Sequence, residues 1–166
     1  MSISDPTEVL LASDRWASGN ILDACVKLSP EEFTKPFEIG RGSLQASMLH
    51  IIGAIRGWSD ALRGGEIRPR LEETLKNPTA AELKPLLEEV ATEFASQVRA
   101  GKPEETITRE RGGKTYTFTR GAVAAHVMTH GFHTRAQCLN MLRHLGVKPL
   151  PSSSVLEWML TMNPPT

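Results

Sequence analysis

Three of the five histidines of this 166-residue chain, His126, His130 and His133, follow one another at spacings of four and three residues. In an α-helix each residue turns the chain by about 100°, so this spacing places the three imidazoles in one narrow stripe, which Gln137 continues. Imidazoles bind zinc, nickel, iron and copper, and three protein ligands with one open position are typical of a catalytic zinc site. The stripe therefore predicts a metal-binding face, with a row of hydrogen-bonded structural histidines as the alternative.

A fourth imidazole, that of His50, is predicted in another helix and lies off the apolar seam of that helix. Small residues share its flank and leave space beside the ring: Ser47, Ala54, Gly57 and Ala61. A helix bundle could bring His50 against the stripe, in the way that bundle metal sites draw ligands from facing helices. Several adjacent imidazoles are costly to bury unless something binds them, which favours the metal hypothesis.

The other reactive side chains carry weaker predictions. Cys25 and Cys138 lack Cys-x-x-Cys spacing and lie among apolar positions or off the stripe, so we predict reduced, partly buried thiols that are not nucleophiles. Arg135 lies well round the helix from the stripe, and we expect it to be solvated or salt-bridged. His144 lies several turns from the stripe and is expected to favour the helix dipole.

The charge balance excludes some partners. The 19 Lys and Arg residues equal the 19 Asp and Glu residues, and the pI is near 7. Nucleic-acid binding usually needs a basic face or a pI above about 9, so we expect none. No stretch approaches the roughly 18–20 apolar residues that span a membrane, and the N-terminus does not resemble a secretory signal. We therefore predict a cytoplasmic protein without membrane contact.

Four long helices are predicted to position the histidines, from helix-start signals, apolar periodicity and Gly or Pro stops. They cover about residues 6–28, 44–63, 80–100 and 121–145. The first begins at Asp5-Pro6, and its predicted inner face includes Leu10 and Val26. The third begins with the capping-box sequence at residues 79–82, and Pro85 predicts either a kink or a later start near Lys84.

Shorter elements are predicted between and after these helices. They are a helical turn around Phe33, a possible turn at 71–75, a β-hairpin over 106–120 with a Gly112-Gly113 turn, and a helix at 155–160. The apolar residues of the last helix should pack on the bundle or on a second subunit. The predicted fold class is all-α: one helix-bundle domain over residues 1–166, with a small β-hairpin before the last long helix.

The sequence resembles the DinB-like (DinB/YfiT) superfamily over nearly the whole chain. The resemblance is carried by Ser43-Leu44, His50 and Trp58 in the second long helix, and most specifically by THGFHTRAQ at residues 129–137. It implies an up-down-down-up four-helix bundle that is often dimeric. It also implies a divalent metal held by a histidine of the second helix and two residues, commonly histidines, four apart in the last long helix.

Matched residue by residue, His50 corresponds to the second-helix ligand and His130 to the first ligand of the last helix. Thr134 stands where the family commonly has its third ligand. His126 keeps a spacing of four on the other side of His130, and His133 keeps a spacing of three. Either could complete the triad, or the site could be degenerate and bind metal weakly.

The resemblance implies an enzyme that uses a low-molecular-weight thiol, because characterised relatives include thiol S-transferases, a maleylpyruvate isomerase and a glutathione transferase-like group. We therefore expect a metal-dependent thiol S-transferase with zinc or nickel, a thiol cosubstrate, a small-molecule substrate and a homodimeric assembly. Two alternatives stay open: a non-catalytic, stress-related dimeric bundle with a degenerate or metal-free site, and a metal-dependent hydrolase that activates water.

Overall fold

The computed structural model of the protein describes residues 5–163, apart from the side chain of Arg111. This part of the chain forms seven helices and one two-stranded sheet. In chain order they are α1 (Pro6–Cys25), α2 (Pro30–Thr34), α3 (Leu44–Arg63), α4 (Leu71–Thr74), α5 (Ala80–Arg99), β1 (Thr106–Arg111), β2 (Lys114–Thr119), α6 (Arg120–His144) and α7 (Val155–Met162). The predicted four long helices, the hairpin and the short helices are thus confirmed.

Side-chain caps fix where the long helices begin. Asp5 accepts from two backbone amides of α1, and Ser43 accepts from one amide of α3. Thr79 and Glu82 form a complete capping box at α5. Helix α5 therefore begins at Ala80 and contains Pro85, so the predicted later start near Lys84 was wrong. The capping box stabilises the first turn by more than the helix loses through the missing N–H of Pro85.

Helix α1 ends at Cys25, three residues before the predicted end. The chain tightens there, because the amide of Lys27 donates to Ala24 and that of Leu28 donates to Cys25. Pro30 then disfavours a helical conformation for the preceding residue. Leu10 and Val26, predicted on the inner face, are 41% and 47% exposed.

The four long helices enclose the core. Helix α3 packs against α5 and α6, and α1 packs against the same two helices. Side chains with almost no exposure come from all four of them: Ile21, Leu22, Leu44, Met48, Ile51, Ile52, Leu83, Leu87, Phe94, Met141 and Leu142. The mostly helical fold is confirmed, and the up-down-down-up order stays a prediction.

The hairpin lies beside the two helices that carry the candidate site residues. Its strands pair in antiparallel register from Thr106 opposite Thr119 to Arg111 opposite Lys114. Ile107 and Phe118 pack against the core, and β1 contacts α3. Strand β2 leads directly into α6, whose first turn is capped by the Thr119 hydroxyl. The hairpin is therefore held at the N-terminal end of α6.

A buried ion pair joins α1 to α6. Arg135, 4% exposed, donates to the Asp14 carboxylate and to the Ser18 hydroxyl at 3.2 Å. The pair packs against Gly131, where an added Cβ would lie 2.6 Å from an Asp14 oxygen. Of the two expectations for Arg135, the salt bridge is confirmed, and solvation was wrong because Asp14 lies directly opposite in the core.

The C-terminal helix α7 packs on α1 through Trp158, which is buried. Its other large apolar side chains are exposed: Leu156, Met159, Leu160 and Met162. The expectation that this helix packs on the bundle is thus met by Trp158, and the second subunit stays a prediction. Between Asp5 and Asn163, none of the helices combines the length and apolar character that crossing a membrane requires.

Candidate metal centre

Helices α3 and α6 bring three histidines together. The rings of His50 and His130 meet edge to face with their centres 4.8 Å apart. The rings of His126 and His130 are nearly parallel, with centres 5.7 Å apart, as expected for residues four apart on one helix. The predicted meeting of His50 with the stripe therefore occurs at His130.

His133 has a different partner. Its Nε2 lies 3.0 Å from Nε2 of Gln137, one turn further along α6. The Gln137 amide is itself fixed, because Gly40 lies so close to it that an added Cβ would overlap its Oε1 atom. If the Gln137 amide donates this hydrogen bond, the Nε2 lone pair of His133 is occupied. Of the two candidates for the third position, His126 is the one whose ring contacts His130.

Thr134 points into the helix rather than toward the histidines. It is 2% exposed, and its hydroxyl donates to the backbone carbonyl of His130 at 3.0 Å. A hydroxyl used in this way, one turn back along its own helix, is a common arrangement for threonine. Thr134 therefore supports the backbone of His130 and offers no donor atom to the cluster.

An aromatic wall borders the His126 side of the cluster. The ring of Trp58 meets His126 edge to face at 5.4 Å and Phe118 at 5.6 Å. The guanidinium of Arg109 lies 4.5 Å from the centre of the Trp58 ring, at cation–π distance. Trp58 is half-buried and joins the hairpin to the histidine site.

Burial keeps two of the imidazoles neutral. It is the main cause that lowers the pKa of His50, to which the positive charge of Arg41 adds while Glu72 opposes it. Burial also lowers the pKa of His130, followed by its histidine neighbours and Arg41. Since an unperturbed histidine titrates near pH 6.5, both rings are neutral at pH 7, the form that binds metal.

The ring separations fit a shared metal ion. A metal–nitrogen distance of about 2.0–2.1 Å puts each ring centre about 3 Å from the ion, so two rings on one tetrahedral ion have centres about 5 Å apart. The observed 4.8 and 5.7 Å lie on either side of that value. In the described residues, however, no three His, Cys, Asp or Glu side chains are arranged to hold an ion. The rings are thus close enough, and their nitrogens must turn to converge.

Two charged residues near the cluster were absent from the sequence prediction. Arg41 belongs to the loop between α2 and α3, and Glu72 to the short helix α4. An oxygen of Glu72 lies 3.8 Å from the position of a Cβ added to Gly53, one turn after His50 on α3. The one local signal was the Gly-Arg-Gly sequence at residues 40–42, and Glu72 had none.

Both cysteines are unsuited to nucleophilic chemistry. Burial raises the pKa of Cys138 to about 12 and that of Cys25 further above its usual value. The thiol of Cys138 lies 4.0 Å from the sulfur of Met48 inside the core. Thiolates are the nucleophilic form, so both cysteines are inert packing residues, as predicted.

Comparison with known proteins gives the family. No curated protein matches the chain. The sequence profile of the DinB family matches residues 3–161, which include all of the histidines described above. With almost its whole length matched, the chain belongs to the DinB family.

Proposed function

We propose that the protein binds one divalent metal ion, zinc or nickel, through His50, His126 and His130, and that it is a metal-dependent S-transferase acting with a low-molecular-weight thiol. The observation that carries the proposal is the contact of three imidazoles from the facing helices α3 and α6, at ring separations of 4.8 and 5.7 Å. Membership of the DinB family and the resemblance of residues 129–137 to its motif support it.

The chain's own residues suit this role. Burial keeps His50 and His130 unprotonated, and Trp58 holds one side of His126 by edge-to-face packing. His126 is exposed, so an external ligand can reach the cluster from solvent. When bound, a divalent cation would supply the positive charge that keeps a thiol deprotonated near neutral pH.

The thiol must come from outside the chain. Cys25 and Cys138 are both buried in the core and have raised pKa values. No rearrangement of the histidines would expose either sulfur, because both pack among apolar side chains. This supports a thiol cosubstrate over a cysteine nucleophile.

The competing function is that of a non-catalytic helical protein with a degenerate site. Two observations favour it: Thr134 is turned into its own helix, and within residues 5–163 the donor atoms do not converge on one point. In that case the imidazoles bind metal weakly and the family fold serves another purpose.

The test is the metal content of untagged protein purified without chelator, measured by elemental analysis for the wild type, His130→Ala and His144→Ala. His144 is the matched control because it is an exposed histidine of the same helix, with its ring 6.2 Å from Phe37. We expect about one zinc or nickel per chain in the wild type and in His144→Ala, and a loss in His130→Ala. If the wild type is purified without metal and also binds no added zinc or nickel, the proposed metal-dependent function is rejected and the non-catalytic one is retained.

If metal is present, the reaction class is tested with one electrophilic substrate panel in the presence and absence of small thiols. Turnover that requires the thiol and produces a thioether supports the transferase. Turnover that is equal without thiol and consumes water would replace the transferase by a hydrolase, with the same histidines activating water.

A further inference from the structure

Arg41 stands beside the candidate metal centre without an ion-pair partner. It follows Gly40, where an added Cβ would overlap the side chain of Gln137, the residue that continues the histidine stripe on α6. Arg15, Arg63, Arg68, Arg99 and Arg135 form ion pairs with carboxylates, whereas no carboxylate of residues 5–163 pairs with Arg41. It is exposed, so a dissolved ligand can reach it.

The loop that carries Arg41 is held in place. The amide of Phe37 donates to the carbonyl of Gly42 at 2.7 Å, and the amide of Gly42 donates to the carbonyl of Ile39 at 2.9 Å. Gly40, which has a φ of +52°, rests directly on the Gln137 side chain of α6. Arg41 is therefore presented next to the histidine stripe by a closed turn that is docked on the same helix.

The charges around the cluster suit a ligand with one negative group. Glu72 lies on the α4 side, with a carboxylate oxygen near Gly53 of α3, whereas Arg41 lies on the loop that is docked on Gln137 of α6. One positive and one negative side chain therefore flank the cluster from different segments of the chain. A carboxylate can pair with a guanidinium through two parallel hydrogen bonds, and its single negative charge is repelled less by Glu72 than the two charges of a phosphate dianion would be.

We propose that Arg41 binds a carboxylate of the thiol cosubstrate or of its acceptor, so that the natural ligand of this site is a carboxylate-bearing small molecule rather than a neutral thiol. The proposal rests on the proposed function, since it assumes that a ligand reaches the three histidines. Arg41 would then determine which ligands the site prefers, although it is not itself one of the three proposed metal ligands.

The test compares two thiols that differ only in charge, 3-mercaptopropionate and 3-mercaptopropionamide, bound to the cobalt(II)-substituted protein. Thiolate binding to cobalt is followed by its charge-transfer absorption. We expect the wild type to bind the carboxylate roughly fivefold more tightly than the amide, as for a charge-assisted contact that is partly screened by water. Arg41→Gln should abolish this preference, and Arg143→Gln, which removes an exposed arginine at the end of α6, should keep it.

The ratio of the two affinities is the measured quantity because Arg41→Gln also changes the field on the histidines, which affects both thiols alike. No preference in the wild type, or a preference that survives Arg41→Gln, would overturn the proposal and leave the metal centre intact. If neither thiol gives the absorption band, the proposed function fails instead.

In that event the arginine is tested in the metal-free protein by titration with sodium propionate. The Nε–Hε resonance of Arg41 is identified by its loss in Arg41→Gln. A saturable shift of this resonance, without one for Arg143, supports a carboxylate site at Arg41. No shift at Arg41 overturns it.

Discussion

Helix α6 carries two polar clusters on different sides, and they differ in how their hydrogen bonds are satisfied. Toward α1, Arg135 is paired with Asp14 and Ser18 inside the core. Toward α3, the ring of His130 contacts both His50 and His126, and the three rings remain accessible from solvent. In the first cluster the chain itself supplies the counter-charge and two acceptors, and of its buried polar atoms only Nε of Arg135 has no partner among residues 5–163, whereas the second leaves ring nitrogens for a ligand. A closed cluster of this kind indicates a structural role, and an open one indicates a binding site.

The largest effect on stability should come from breaking the closed cluster, the buried pair of Asp14 and Arg135. Asp14→Ala leaves the Arg135 guanidinium buried without its counter-charge, and we expect it to lower the free energy of unfolding by about 3–5 kcal/mol. Urea denaturation followed by circular dichroism measures this difference. Metal binding by the variant, where it still folds, should resemble that of the wild type.

The matched control removes both charges. Asp14→Leu combined with Arg135→Met replaces the pair by apolar side chains and should recover most of the lost stability, since burying an ion pair is itself costly. A single Asp14→Ala variant with wild-type stability would contradict the structural role of the pair.

The next largest effect should be on zinc affinity, which should distinguish His126 from His133 as the third ligand. His126→Ala removes a ring in contact with His130, and we expect zinc affinity to fall at least tenfold. His133→Ala removes a ring that pairs with Gln137 instead, and its zinc affinity should stay close to that of the wild type. Competition with a chromophoric chelator gives both affinities. The opposite ranking would assign the third ligand to His133.

A third comparison uses pH on the metal-free protein. The pKa values of His50 and His130 are lowered in the folded state, mainly by burial, so below pH 6.5 the unfolded chain binds more protons than the folded one. Stability should therefore be fully present above pH 6.5 and be lost as the pH falls through the lowered values. Urea unfolding at pH 7 and pH 5 measures the loss.

His50→Gln combined with His130→Gln should reduce this pH dependence, whereas His144→Ala should keep it. Asp14 is common to all three proteins, so its own titration cancels in the comparison. An unchanged slope in the double variant would mean that the two imidazoles are as well hydrated in the folded protein as in the unfolded chain.

The contrast between the clusters also explains what the sequence could predict. The stripe of His126, His130 and His133 follows from helical geometry alone, and the caps at Asp5, Ser43 and Thr79 are local signals. The helices and the α6 histidines of the candidate site were therefore predictable from short stretches of sequence. His50 was placed against the stripe because small neighbours left room for its ring.

The missed features depend on contacts between distant segments. Asp14 and Arg135 are 121 residues apart, and no periodicity indicates that they meet. Arg41 and Glu72 approach the histidines because Gly40 docks on Gln137 and because Leu71 is buried beside α3. Such loop positions are set by tertiary packing, which a single sequence does not encode in a readable local pattern.

The smallest effect should come from an ion pair that water already screens. Arg99 donates to both oxygens of Glu8 at 2.7 and 2.6 Å, joining α5 to α1 as directly as Arg135 joins α6 to α1. Its side chain is 56% exposed, so Arg99→Gln should lower the free energy of unfolding by less than about 1 kcal/mol, and by less still in 0.5 M salt. The same urea titration measures it beside Asp14→Ala. A loss as large as that of Asp14→Ala would mean that the geometry of a pair, rather than its burial, decides how much it stabilises this fold.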